Sequence, residues 1–256
     1  MAEAAQLAVR DVRVRLLEGG EGDPLVFLHG AGRSGVWLPV HEELARSSRV
    51  IVPEHPGFGQ SDRPSWLDDI ADMVFHYRDL LDMLGLERMN VLGTSFGGWI
   101  AAEFATVYPE RVSKLILSAP AGLHVTGAPI ADVFLIPAEE LPSYLFADPA
   151  KVAAARGEQV SPEIEAELYR SRVTLAHVAW NPILCNPRLR RRLYRITCPT
   201  LVLWGAGDRL IPPAHGEAWA SEVATARLIR VENCGHAIHL DQPTVFVDEV
   251  TRFLKD

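Results

Sequence analysis

The feature that most constrains the fold is a regular alternation of short apolar runs with longer amphipathic stretches. Uninterrupted apolar runs are typical of strands buried on both faces of a parallel sheet; they occur at 25–28, 50–52, 89–92, 114–117 and 200–204, with a weaker one at 226–231. Between them, residues 70–84, 100–108 and 244–254 carry the apolar spacing of helices. Residues 7–17 alternate apolar and charged side chains, which predicts one half-exposed strand. Strands that alternate with helices predict an α/β fold, with a mostly parallel sheet covered by helices on both faces.

One segment interrupts this alternation. Residues 120–195 hold 8 of the 18 prolines of the chain and show short helical patterns, such as 162–175, but no apolar run typical of a buried strand. The strand pattern resumes at Thr200. We therefore expect a helical insertion at 120–195 between two strands of a core formed by residues 1–119 and 196–256.

Composition and charge exclude several classes of protein. Of the 256 residues, 48% are hydrophobic and 23% are charged, which is typical of a globular chain. The net charge of −8 argues against a nucleic-acid partner. No secretory signal is recognisable, and the apolar stretch 91–108 is too polar to span a membrane, so a cytoplasmic protein without a membrane partner is expected. Three scattered cysteines, Cys185, Cys198 and Cys234, suggest reduced thiols.

The segment from Gly93 to Gly97 is the strongest chemical signal. It reads Gly-Thr-Ser-Phe-Gly and stands between an apolar run and a helical pattern. A G-x-S-x-G between a strand and a helix is typical of a nucleophile elbow, a sharp turn that exposes the central serine above the sheet. The flanking glycines are needed because strand and helix approach each other closely there. Ser95 is the predicted nucleophile.

A serine nucleophile needs a histidine base and an acid that orients the histidine. With this elbow the expected chain order is serine, acid, histidine. Asp208 follows the run 200–204, and His236 follows the run 226–231, so each stands at the carboxyl end of a strand. Taken singly, Asp208 is equally compatible with a turn cap and His236 with a helix cap. The order of the three residues favours a catalytic triad.

The segment from His29 to Gly32 follows the first apolar run and reads His-Gly-Ala-Gly. Its glycines allow the backbone to curl towards the serine, so that the N–H of Ala31 and the N–H of Phe96 together form an oxyanion hole. We interpret His29 as a structural residue that holds this loop by hydrogen bonds.

These motifs, together with Pro56 to Ser61 and Cys234 to His236, resemble those of α/β-hydrolase fold enzymes over nearly the whole chain. The resemblance implies that residues 120–195 form a cap over the active site. Glu54 departs from the aspartate that many relatives carry before the Pro-Gly-Phe-Gly turn.

Within the superfamily the chain is similar to capped esterases and to hydrolases that cleave the carbon–carbon bond of meta-ring-fission products. In the latter group, an arginine at the end of the cap helps to bind a substrate carboxylate, and Arg192 stands at about that place. A solvated basic helix face is the alternative explanation of 188–195. Two residues depart from the group: Ala237 follows the histidine where an aromatic residue is usual, and Thr94 replaces an asparagine.

The sequence thus predicts a cofactor-independent serine hydrolase of small or medium carboxylic esters. A carbon–carbon bond hydrolase of ring-fission dienoates is one alternative, and a ligand-binding receptor on the same fold is another. No metal or cofactor is expected, because grouped metal-ligand histidines, a P-loop and a dinucleotide motif are missing from the sequence. The oligomeric state is left open. Seven residues are predicted to contact the small-molecule substrate: Trp37, Phe134, Leu135, Trp180, Arg192, Ile211 and Ile238.

Overall fold

A computed structural model describes residues 3–32, 34–157 and 159–256. Its centre is an eight-stranded sheet in the spatial order β1-β2-β4-β3-β5-β6-β7-β8. The strands are β1 Glu3–Val9, β2 Val12–Gly19, β3 Pro24–Leu28, β4 Arg49–Pro53, β5 Met89–Thr94, β6 Val112–Ser118, β7 Thr200–Gly205 and β8 Ala226–Val231. All neighbouring pairs from β4 to β8 are parallel, whereas β1–β2 and β2–β4 are antiparallel. The prediction of a mostly parallel sheet is confirmed.

The first strand differs from its prediction. The alternating segment 7–17 is not one strand but parts of two, which pair in register from Glu3 with Glu18 to Val9 with Val12. The chain reverses at Arg10, whose φ of 53° lies in the left-handed region that a tight hairpin turn requires. Apolar and charged residues alternate after this turn, at 12–16, whereas residues 7–9 before it are all apolar, and no glycine or proline marks the turn in the sequence.

Helices cover both faces of the sheet. They are α1 Pro39–Leu44, α2 Ile70–Met83, α3 Phe96–Val107, α4 Pro142–Leu145, α5 Pro149–Gly157, α6 Pro162–Ala179, α7 Ala214–Glu222, α8 Ile238–Asp241 and α9 Pro243–Lys255. Helices α2, α3 and α7 contribute to a hydrophobic cluster on one face, and α1, α8 and α9 to a second cluster on the other. Strand side chains alternate between the two clusters, so that Val91 belongs to the first and Leu92 to the second. The strands are therefore buried on both faces, which explains their uninterrupted apolar runs.

The segment between β6 and β7 leaves the sheet and returns to a point close to where it left. The N–H of Gly122 donates to the carbonyl of Leu184 at 2.8 Å, and the N–H of Asn186 donates to the carbonyl of Gly122 at 2.9 Å. Helices α4, α5 and α6 lie within this excursion. The chain then passes through a 3₁₀ turn at Arg190–Arg195, which contacts α3 and α7, before it enters β7.

Helix α6 is fixed to the core at the turn that follows β4. The hydroxyl of Thr174 donates to the carbonyl of Gly57 at 2.8 Å, and the guanidinium of Arg170 donates to the carbonyl of Gly59. In the opposite direction, the N–H of Gly59 donates to the hydroxyl of Ser171 at 3.1 Å. Three contacts from two consecutive turns of α6 thus hold the excursion above the carboxyl edge of the sheet.

No helix within the described ranges is long and apolar enough to cross a bilayer. The three cysteines are free and buried. The cytoplasmic location stays a prediction.

Candidate active site

Ser95 stands at the turn between β5 and α3. Its φ of 52° and ψ of −116° are unusual for a residue with a side chain and indicate local backbone strain. The turn is held by the N–H of Ser95, which donates to the carbonyl of Ser118 on the neighbouring strand at 2.9 Å, and by two N–H groups that donate to the carbonyl of Ser95. The strain is therefore maintained by hydrogen bonds on both sides of the residue.

The two glycines of the elbow have no room for a side chain. A Cβ atom added to Gly93 would lie 2.4 Å from the carbonyl oxygen of Gly97, and one added to Gly97 would lie 2.2 Å from the carbonyl oxygen of Leu28. Both distances are far inside van der Waals contact. The close approach of α3 to β3 and β5 thus explains why this turn needs glycine at both positions.

Ser95, His236 and Asp208 form a continuous hydrogen-bonded line. The Ser95 hydroxyl oxygen lies 2.8 Å from Nε2 of His236, and Nδ1 of His236 lies 2.8 Å from Oδ2 of Asp208. The side chains of His236 and Asp208 are almost completely buried, while Ser95 remains partly accessible. With a proton on Nδ1 shared with the carboxylate, Nε2 is free to accept the hydroxyl proton of Ser95.

The carboxylate of Asp208 is held from its other side as well. Its Oδ1 accepts the N–H groups of Leu210 at 2.9 Å and Ile211 at 2.8 Å. A carboxylate that accepts two backbone N–H bonds and one imidazole N–H has little freedom to rotate. The orientation of His236 is thereby determined by the backbone of the loop after β7.

The loop after β3 is organised by two histidines, His29 and His55, whose rings are tilted by 36° with centroids 3.8 Å apart. Nδ1 of His29 lies 2.7 Å from the carbonyl of Gly30, so it donates there, and its Nε2 accepts the N–H of His55 at 3.0 Å. Nε2 of His55 donates to the carbonyl of His29 at 2.8 Å, and its Nδ1 contacts the hydroxyl of Tyr77. Burial lowers the pKa of His29 to about 4, so both of its nitrogens keep these neutral roles.

The two predicted oxyanion donors belong to two segments that meet at Ser95. Phe96 is the first residue of α3, so its N–H has no acceptor within the helix. Ala31 belongs to the loop after β3, where a Cβ atom added to Gly30 would lie only 3.5 Å from the Cβ of Ser95. The ring of Phe96 is stacked on Phe58 with centroids 5.5 Å apart, which fixes the start of the helix.

The comparison with known families decides the identity of this fold. A sequence model described as the alpha/beta hydrolase family matches residues 25–249. The chain belongs to this family. As an alpha/beta hydrolase it is an enzyme, in agreement with the sequence prediction.

Curated relatives of this hydrolase include a dienoate hydrolase and a semialdehyde hydrolase. It is 30% identical, over 92% of its length and 88% of the relative's, to a 2-hydroxy-6-oxo-6-phenylhexa-2,4-dienoate hydrolase of Comamonas testosteroni. It is also 30% identical, over 98% and 93%, to a 2-hydroxymuconate semialdehyde hydrolase of Pseudomonas sp. (strain CF600). Among solved structures, a meta-cleavage product hydrolase mutant aligns with a TM-score of 0.82 and 23% identity, over 98% and 97%. A membrane phospholipase A aligns with a TM-score of 0.83 and 24% identity, over 99% and 86%. At these identities the structural matches establish the fold alone.

Arg192 faces a buried carboxylate. Its Nη1 lies 3.6 Å from Oε2 of Glu103 on α3, whose side chain is only 5% exposed. The other carboxylate oxygen accepts from Nε1 of Trp99 at 3.2 Å and from Nδ2 of Asn186 at 2.6 Å. The charge of Arg192 is thus balanced within the protein, and its predicted contact with a substrate carboxylate stays a prediction that must compete with Glu103.

Of the other six residues predicted to contact the substrate, two are completely buried and two have largely exposed side chains. Ile211 and Ile238 are completely buried within the two hydrophobic clusters, and this burial leaves no side-chain surface for a ligand. Leu135 and Trp180 lie in the predicted cap, residues 120–195, which is called the cap segment below. Their side chains are 79% and 64% exposed. The apolar character of a residue near the expected site is therefore not enough to predict that it contacts the substrate.

The remaining two contacts are half-buried. Phe134 is packed against the larger cluster, and its carbonyl accepts from the guanidinium of Arg172 at 2.9 Å. The indole of Trp37 donates to Glu42 at 2.7 Å and lies edge-on to His41, beside α1. Contact of either residue with a substrate stays a prediction.

Sequence reasoning missed several residues that support the site. His55 and Tyr77 fix the loop of His29, and Asp241 accepts the N–H of Gly235 beside His236 at 2.7 Å. The available signal was an ionisable side chain inside an otherwise apolar or glycine-rich stretch. Such a side chain is buried at the cost of desolvation and therefore needs partners.

Proposed function

We propose that this alpha/beta hydrolase cleaves a small carbonyl substrate through a covalent intermediate on Ser95. The observation that carries the proposal is the pair of 2.8 Å contacts that join Ser95, His236 and Asp208. Three strand ends brought into one hydrogen-bonded line beside a helix N-terminus form the arrangement that nucleophilic serine catalysis requires.

In the proposed reaction, His236 takes the proton of Ser95 as the hydroxyl oxygen bonds to the substrate carbonyl carbon. Asp208 holds the imidazole and stabilises its cationic form. The N–H groups of Ala31 and Phe96 donate to the oxyanion that develops, each with an effect of about 3–4 kcal/mol in comparable enzymes. The leaving group departs with a proton from His236, and a water activated by the same imidazole then releases the acyl group from Ser95.

For the substrate we propose a ring-fission dienoate, the class named in several of the relatives. The bond that breaks is then the carbon–carbon bond beside the 6-oxo carbon. The 2-hydroxyl proton first moves to carbon 5, which gives a 2-oxo tautomer, so that the electron pair of the broken bond is taken up as a dienolate. The proton from His236 or from water ends on that conjugated system, and the water oxygen ends in the released acid. Identity of 30% over nearly the whole chain supports this class more strongly than a simple ester.

Ester hydrolysis is the second candidate, and one arrangement favours it. Arg192 already faces Glu103, and Ala237 follows His236 where an aromatic residue is usual in dienoate hydrolases. An ester needs no carboxylate-binding cation, and an alkoxide leaving group takes its proton directly from His236.

The test is labelling of the purified protein with a fluorophosphonate probe, beside turnover of a ring-fission dienoate and of short p-nitrophenyl esters. The Ser95→Ala variant should lose labelling, and its turnover should fall about a thousandfold or more. Full turnover by Ser95→Ala would refute the mechanism.

The substrate class is tested with Arg192→Ala and with Arg191→Ala as the control, because Arg191 is its exposed neighbour. If a dienoate is the substrate, Arg192→Ala should lower dienoate turnover much more than ester turnover, and Arg191→Ala should change neither. Ester turnover at rates far above those for the dienoate would favour the second candidate instead.

A further inference from the structure

The carboxylate of Asp241 lies between the cap segment and the loop of His236. Asp241 ends α8, five positions after His236, and its side chain is completely buried. Its Oδ2 accepts two backbone N–H groups, from Gly235 at 2.7 Å and from Ala147 at 2.8 Å. Gly235 directly precedes His236, whereas Ala147 belongs to the cap segment between α4 and α5. A single oxygen atom therefore joins two parts of the chain that are far apart in sequence.

Ala237, which directly follows His236, is hydrogen-bonded to the same cap segment. The N–H of Ala237 donates to the carbonyl of Leu145 at 2.9 Å. A Cβ atom added to Gly235 would lie 2.6 Å from that carbonyl and 2.9 Å from the nitrogen of Ala147. Both backbone neighbours of His236 are thus in direct contact with residues 145–147, with no space between them.

Lys151 completes the connection from α5. Its ammonium group lies 3.8 Å from Oδ1 of Asp241 and donates to the carbonyls of Leu240 and Asp241. Oδ1 has no hydrogen-bond partner among the described residues. The buried negative charge is therefore balanced mainly by the two N–H groups and by this one cation, and the N–H of Ala147 and the ammonium group of Lys151 both come from the cap segment.

From these contacts we infer that Asp241 is a positioning residue, which holds His236 in line with Ser95 only while cap residues 145–151 are seated on the core. This inference rests on the proposed function, because it assigns Asp241 to the same triad. Movement of residues 145–151 away from the core removes the donor of Ala147 and the acceptor of Leu145 together. The loop of His236 then loses the bond from Ala237, and Asp241 loses the cap donor that fixes its carboxylate against Gly235, so the imidazole leaves the line of the nucleophile.

The test compares Asp241→Asn with Val250→Ala, a variant of the second hydrophobic cluster on α9 that should destabilise the fold and leaves the hydrogen bonds of Asp241 in place. For Asp241→Asn we expect fluorophosphonate labelling and kcat for a short ester to fall about tenfold or more, with KM within about twofold. Val250→Ala should lower the melting temperature and leave kcat at 15–20 °C unchanged. Trypsin cleavage after Lys151 should be faster in Asp241→Asn than in either wild type or Val250→Ala, because the substitution removes the carboxylate charge that lies 3.8 Å from the Lys151 ammonium group.

Equal labelling and equal kcat in Asp241→Asn and wild type would overturn the inference and leave the proposed function standing. A loss of melting temperature without any change in kcat would overturn it as well, since a purely structural role would behave in that way. Failure of the wild type to label would instead refute the proposed function, and the inference with it.

Discussion

Acid should unfold this protein through histidines that are buried in the neutral form. Burial lowers the pKa of His29, His76 and His239 to about 4 and that of His41 to about 3. The pKa of His55 also lies well below its usual value, first because of burial and then because of the nearby His29. All five lose the water that would stabilise a charged imidazole.

The direction in which stability changes with pH follows from proton uptake by the folded and unfolded protein. In the unfolded chain each histidine binds a proton as the pH falls below about 6.5, whereas the folded protein does not bind it until about pH 4. Stability is therefore complete above pH 6.5 and is lost as the pH falls from 6.5 towards 4. At pH 5 a shift of this size costs about 2 kcal/mol per histidine. The four histidines with a pKa of about 3 to 4 together remove up to about 8 kcal/mol, which is comparable to the whole stability of a typical domain.

The assay is urea unfolding at pH 7, 6 and 5, followed by tryptophan fluorescence, with His76→Gln as the main variant. His76 lies on α2, and its Nε2 is buried with no partner among the described residues. The loss of unfolding free energy between pH 7 and pH 5 should be about 2 kcal/mol smaller in His76→Gln than in wild type. His177→Gln is the control for the loss of an exposed histidine, because the side chain of His177 is 42% exposed.

Two results would contradict this reasoning. One is a wild-type protein that loses less than about 2 kcal/mol in total between pH 7 and pH 5, which would mean that the buried histidines do not govern its acid stability. The other is a His76→Gln variant with the same pH dependence as wild type.

Three further predictions concern the site and its supports. Gly97→Ala should abolish fluorophosphonate labelling and lower the melting temperature, because the added Cβ would lie 2.2 Å from the carbonyl oxygen of Leu28; normal labelling would contradict the geometry of the elbow. Ile238→Ala should lower the free energy of unfolding, measured with urea, by about 2–5 kcal/mol and leave KM unchanged, since the side chain is completely buried. A raised KM would indicate instead that Ile238 contacts the substrate. Glu103→Gln should cost about 1–3 kcal/mol and leave Arg192 without its carboxylate partner. A dienoate KM that falls in Glu103→Gln would indicate that the freed guanidinium reaches the substrate, and an unchanged KM would argue against that contact.

The sheet and the placement of the chemistry were predictable because both depend on local signals. Apolar runs mark strands buried on both faces, and the glycines around Ser95 mark a close approach of strand and helix. Asp208 and His236 were recognisable because each follows a strand, and parallel strands bring their carboxyl ends to one edge. The assembly of these three residues is therefore a consequence of fold class and chain order.

The surroundings of the site were not predictable in the same way. Ile238 and Trp180 are both large apolar residues near the expected pocket, yet one is completely buried and the other is 64% exposed. Arg192 stands in a basic run, and only the structure reveals that α3 turns the carboxylate of Glu103 towards it. Contacts between segments far apart in sequence decide such cases, and no local pattern encodes them.

The paired hydrogen bonds between Gly122 and residues 184–186 mean that the excursion which carries α4 to α6 begins and ends at one point. Because its two ends are hydrogen-bonded to each other, this excursion forms a closed loop at the edge of the sheet, whatever its length or sequence. Loops that close in this way tolerate replacement, because the ends of the insert need to meet only each other and not the elements beyond them. The same sheet, elbow and histidine loop can therefore accept a transplanted segment from a relative, provided that the graft joins at 122 and 185 and supplies a backbone N–H where Ala147 now meets Asp241. The connectivity of this chain thus allows the inserted segment to change without a change in the order of the sheet strands.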